Sequence, residues 1–142
     1  MKSLLIAVAI LALAGCHLTT AQGLKTANDS AHGLKKAIWP QWAPKCKADT
    51  ATCIKDGKIK PGNASIDQCP TAKQCKAGAT IFINALNVVH TGVATGQSFL
   101  VEGDSKKAKL TLGNVVKALS TAREAATKAG FIKLLIGLAG GK

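Results

Sequence analysis

Between Ala77 and Val101 the chain carries no charged residue of either sign, yet its apolar side chains recur at steps of three and four. Ala72, Cys75, Ala79, Phe82, Leu86, Val89, Val93, Gly96 and Leu100 form one continuous stripe of helical period, an a/d-like seam that has to face other helices. Pro70 suits a first helical position, where its missing N–H costs nothing, and Gly103 suits the left-handed residue after a last turn. A central helix of this length with no strand-like alternation beside it restricts the chain to an all-helical packing.

Two further segments supply the partners. Leu24, Ala27, Ala31, Leu34 and Ile38 place an apolar stripe on a first helix over residues 19–39, which Pro40 and Pro44 are expected to stop. Ala108, Leu112, Val115, Leu119, Ala122, Ala126 and Ala129 place another on a third helix, capped by Asp104 or Ser105 and running on through Phe131 to Ile136. The short connection around Gly103 makes helices two and three an antiparallel hairpin. The expected fold is all-α, a small three-helix bundle with a disulfide-stapled loop between helices 1 and 2, the loop covering residues 40–69.

The chain opens with one lysine, Lys2, then an apolar run from Leu4 to Ala14, then Gly15 and Cys16. The run is too short for a spanning helix, which needs about 20 residues, and has the layout of a secretory signal. Leu13-Ala14-Gly15-Cys16 resembles the lipobox of bacterial lipoproteins, a branched apolar residue and two small ones ahead of the cysteine that takes the diacylglycerol. The resemblance covers residues 1–16 alone. It implies a signal peptide over residues 1–15, a single mature domain over residues 16–142 and a lipid anchor on Cys16. In Gram-negative members of the class an aspartate after the lipid cysteine holds the protein in the inner membrane. His17 stands there instead, which implies the outer membrane, facing the periplasm.

Cysteine arithmetic agrees with that address. Of five cysteines, assigning Cys16 to lipid leaves Cys46, Cys53, Cys69 and Cys75, an even set suited to two disulfides in an oxidising compartment. Three connectivities are possible. The favoured one is nested, Cys53 with Cys69 inside Cys46 with Cys75, because the Pro61-Gly62 turn folds the loop back and Cys75 lies on the central seam. A four-thiolate zinc site is the rival, but the C-x6-C and C-x5-C spacings are looser than structural zinc uses, so no metal is expected.

The net charge is +12, and every basic residue but Arg123 is a lysine. Mobile lysine point charges suit diffuse attraction to an anionic surface better than bidentate recognition of phosphate. With no tyrosine, three phenylalanines and two tryptophans, the chain lacks the stacking side chains of a nucleic-acid binder. No G-x-S-x-G, H-E-x-x-H or phosphate-binding glycine loop occurs, so no catalytic residue and no cofactor is expected. His90, with Asn84, Asn87 and Thr91 nearby, is the one polar set placed to enter the bundle, as a hydrogen-bonded core histidine.

Contact surfaces are read at two places. Trp39 and Trp42, flanked by Lys36 and Lys45, either grip a partner or cover the end of the bundle. Phe131, Leu134 and Leu135 belong to a stretch apolar on all sides, which fits a membrane surface, a partner or the protein's own loop. Gly92-x-x-x-Gly96 serves close helix approach, within the hairpin or in a homodimer. The resulting expectation is a cell-envelope lipoprotein held by membrane lipid through acylated Cys16, with a binding or structural role towards an anionic component or a protein partner. The alternative is a phage- or plasmid-encoded exclusion or immunity lipoprotein that blocks a receptor or injection machinery.

Overall fold

The computed structural model describes residues 19–59 and 68–131. They form three α-helices, α1 (Thr20–Lys55), α2 (Pro70–Val101) and α3 (Ser105–Lys128), with no strand among the described residues. Residues 1–18, 60–67 and 132–142 lie outside the described set, Cys16, Leu134 and Leu135 among them.

Each helix begins and ends on a sequence-encoded cap. Thr19 and Gln22 make a reciprocal capping box at the start of α1, the Thr19 hydroxyl accepting from the Gln22 N–H at 3.3 Å and the Gln22 amide oxygen accepting from the Thr19 N–H at 3.0 Å. Asp104 caps α3 by accepting from the Lys107 N–H at 3.0 Å. At the C-termini Gly57, Gly103 and Gly130 all take positive φ, where a Cβ would meet the carbonyl oxygen. Each closes a Schellman motif: the N–H groups of Lys58, Asp104 and Phe131 bond back to the carbonyls of Cys53, Phe99 and Ala126.

Two boundaries differ from the sequence expectation. The first helix does not stop at Pro40 but continues through both prolines to Lys55, so the connection to α2 begins at Asp56 rather than at residue 40. Pro40 and Pro44 are exposed, which leaves the carbonyls they cannot pair on the solvent side, where water satisfies them. The buried stripe meanwhile runs on from Ile38 to Trp42 and then to Cys53, and tertiary burial outweighs the proline cost of about 3 kcal/mol each. The third helix ends at Lys128 instead of running to Ile136, because Gly130 turns the backbone and Phe131 folds back onto the core.

The core is one interhelical layer. Leu24, Leu34, Ile38 and Trp42 of α1 meet Phe82, Leu86, Val89 and Val93 of α2 and Val115 and Leu119 of α3. α2 is long and apolar enough to pass for a membrane span, with a mean hydropathy of 1.3 over its most apolar window. Phe82, Leu86 and Val89 of this helix are nevertheless fully buried in the seam of the bundle, while Ile81, Val88 and Val101 on its other faces are exposed. Glycines set the closest approaches. A methyl added at Gly92 would come within 2.5 Å of Val115 Cγ2, and one at Gly96 within 2.8 Å of Leu24 Cδ1. Gly92-x-x-x-Gly96 therefore serves packing inside the bundle.

The disulfides are the nested pair. Cys46 joins Cys75 with Cα atoms 5.5 Å apart, and Cys53 joins Cys69 at 6.0 Å. The inner bridge closes the connection between α1 and α2 and, with Ile59 and Ala72, builds a small second core at that end.

Candidate binding groove and interhelical histidine pair

Past the prolines, α1 leans its last turns along α2, and three helices meet around a groove of about 650 Å³. Cys75, Gly78, Ile81, Ala125 and Ala129 give it an apolar floor, and Lys45, Asp49, Gln74, Glu124 and Lys128 stand around it. Small residues line the hollow: Ala125 and Ala129 border it at the end of α3, and Gly78 borders it from α2, where an added methyl would meet the Trp42 ring. Lys45 and Asp49 pair across one helical turn at 3.4 Å and fix one wall. The outer disulfide lies in the floor, so α1 and α2 cannot part there without breaking a covalent bond. An apolar floor with a rim of both charge signs suits an extended peptide segment or another amphipathic surface more than a small charged metabolite.

The two tryptophans do not form one surface. Trp42 falls four residues after Ile38, in the inner stripe, and is 1% exposed. Its ring packs 5.0 Å from both Phe82 and Phe131, centroid to centroid, and its Nε1–H donates to the Cys75 carbonyl oxygen. Trp39, about 100° round the helix from Ile38, is 40% exposed and is the only tryptophan left for contact. Phe131 likewise belongs to the core rather than to a contact beyond it, because the Schellman turn at Gly130 directs it inward. Leu134 and Leu135 lie outside the described residues.

A second polar feature sits between α1 and α2. His90 Nδ1 lies 3.2 Å from Asn28 Oδ1, and with that oxygen accepting, Nδ1 carries the proton. The His32 ring packs against His90 at a tilt of 58°, with centroids 4.7 Å apart. Burial first, then the neighbouring His32 and Lys35, hold the His90 pKa below the usual histidine value. Asn84, Asn87 and Thr91, placed near His90 by sequence, lie on the exposed side of α2 instead. Its partners come from α1, and no spacing along the chain marks residues 62 positions apart as neighbours. Among the described residues no three His, Cys, Asp or Glu side chains converge as a metal-ligand set.

The groove was also hidden from sequence reading, since it needs the part of α1 beyond Pro40. The signal that could have found it is the continued three-four spacing of Ile38, Trp42, Cys46 and Cys53. Comparison with known proteins finds no matching family model, no matching curated relative and no matching solved structure.

Proposed function

We propose that this chain is a lipid-anchored protein of the bacterial cell envelope that acts by binding rather than catalysis, presenting its groove to an envelope component or protein partner. The observation that carries the reading is Leu13-Ala14-Gly15-Cys16, with its cysteine three residues before the capped start of α1. Two or three acyl chains on one cysteine give stable anchoring where a single chain is marginal. Disulfide pairing of the other four cysteines fits an oxidising compartment. α1 alone is 36 residues long, about 54 Å at helical rise, so the groove stands well away from its lipid end. Lysines on all three helices favour anionic partners, and Trp39 adds an exposed aromatic contact.

Metabolic labelling with palmitate tests the anchor. The wild type takes up label and sediments with membranes, and Cys16→Ser takes up none and accumulates as precursor. An unlabelled wild type overturns the reading. Crosslinking from intact cells with the lipid in place then identifies the partner, with Ile81→Asp in the groove floor expected to abolish capture.

A further inference from the structure

The two ends of the bundle differ. α1 starts beside the turn between α2 and α3, because Leu24 packs against Gly96 and Leu112 against Gly23. Cys16 precedes Thr19 by three residues, and three residues of extended chain reach no more than roughly 11 Å. Whatever Cys16 carries is therefore held close to that turn.

The turn end also bears the two most exposed large apolar side chains of the described residues, Val101 at 89% and Leu110 at 65%. Leu110 lies in the second turn of α3, and a helical Cβ leans towards its helix N-terminus, here towards the turn. Lys106, one turn before Leu110, and the adjacent Lys109 are both exposed. The two acids of this end are engaged within the chain. Asp104 caps α3 and pairs with Lys107 at 3.0 Å, and Glu102 accepts from the Ser98 hydroxyl at 3.2 Å.

We propose that this end is a seat on an anionic bilayer, with Val101 and Leu110 entering the headgroup region and Lys106 and Lys109 reaching lipid phosphates. The proposal rests on the reading of Cys16 as the lipid-bearing residue. A short apolar tip with exposed lysines beside it on α3 matches the headgroup boundary, where the stems are buried and the ammonium groups stay in the polar layer. The tether selects the occupant, since no more than roughly 11 Å of chain separates Thr19 from the lipid-bearing cysteine, which keeps this end of the bundle at the bilayer surface. Seated this way, with the bundle axis upright, the groove beside Lys45 and Asp49 stands roughly 40 Å from the membrane.

Two measurements decide it. In the acylated mature protein, reconstituted in vesicles of phosphatidylethanolamine and phosphatidylglycerol, amine acetylation read by mass spectrometry shows Lys106 and Lys109 protected and Lys47 and Lys55 as reactive as in the vesicle-free Cys16→Ser protein. Equal reactivity at both ends overturns the seat. For the Cys16→Ser mature chain, partition onto the same vesicles falls about thirtyfold in Lys106→Gln/Lys109→Gln and about tenfold in Val101→Ser/Leu110→Ser. It is unchanged in Lys47→Gln/Lys55→Gln. Equal losses from the two lysine pairs, or equal partition onto vesicles of phosphatidylcholine alone, also overturn it. Intact mass of the acylated protein reads the anchor separately: a Cys16 without lipid removes the anchor, and the partition series still reads the tip.

Discussion

The indole Nε1–H of Trp42 donates to the carbonyl oxygen of Cys75 at 3.0 Å, beside the disulfide that ties Cys75 to Cys46. One side chain thus fills the core with Phe82 and Phe131, links α1 to α2 by a hydrogen bond and sits under the floor of the groove. Gly78 gives it room, since a methyl there would stand 3.2 Å from Trp42 Cζ2. Trp42→Ala is expected to cost about 3–5 kcal/mol. Trp42→Phe, which keeps the ring and loses the donor, should cost about 2 kcal/mol. Urea unfolding followed by circular dichroism separates the two, and equal stability of Trp42→Phe and wild type would show that the hydrogen bond contributes nothing net.

Glycines within the helices fall into two kinds, and alanine substitution tells them apart. At Gly113 an added methyl meets nothing within 4 Å, so Gly113→Ala should stabilise by about 1 kcal/mol through helix propensity. At Gly92 the same change drives a methyl into Val115, a fully buried β-branched side chain with little rotamer freedom. Gly92→Ala should therefore destabilise by about 1–3 kcal/mol despite the same propensity gain. Thermal melts of the two variants should move in opposite directions.

Proline inside α1 gives a third test. Pro40→Ala restores a helical N–H on an exposed face, worth up to about 3 kcal/mol, less about 0.4–1 kcal/mol for the looser unfolded chain. The melting temperature should rise. A fall would mean that the proline shapes the path of α1 towards Trp42 and the outer disulfide.

Acidification should weaken the fold through His90. Its pKa is held down in the folded protein, by burial first and then by His32 and Lys35, so the unfolded chain binds the proton more readily. This contribution is fully present above the unfolded value of about 6.5 and is lost as pH falls through the lower folded value. Denaturant titrations from pH 8 to pH 5 should show a steeper loss for wild type than for His90→Gln. Parallel curves would remove His90 as the cause.

The three helices and their stacking were legible in the sequence because apolar spacing is a local property, written in Leu24 to Ile38, Phe82 to Leu100 and Ala108 to Ala126. The nested disulfides were legible too, because the turn expected at Pro61-Gly62 and a cysteine on the central seam favoured that pairing among the three possible. What sequence reading misjudged were the places where local preference and tertiary burial disagree. Pro40 and Pro44 argue for a helix end, but their exposed face lets water take the freed carbonyls while Trp42 and Cys46 hold the other face to α2. For Phe131 and Trp42 the spacing left contact and burial both open, and in the structure each completes the other's packing in the core. The groove and the Asn28–His32–His90 cluster join residues far apart in the chain. Only the packing of α1 beside α2 decides that they meet, since the free energy that aligns them comes from contacts distributed along the whole interface and from no single stretch of sequence.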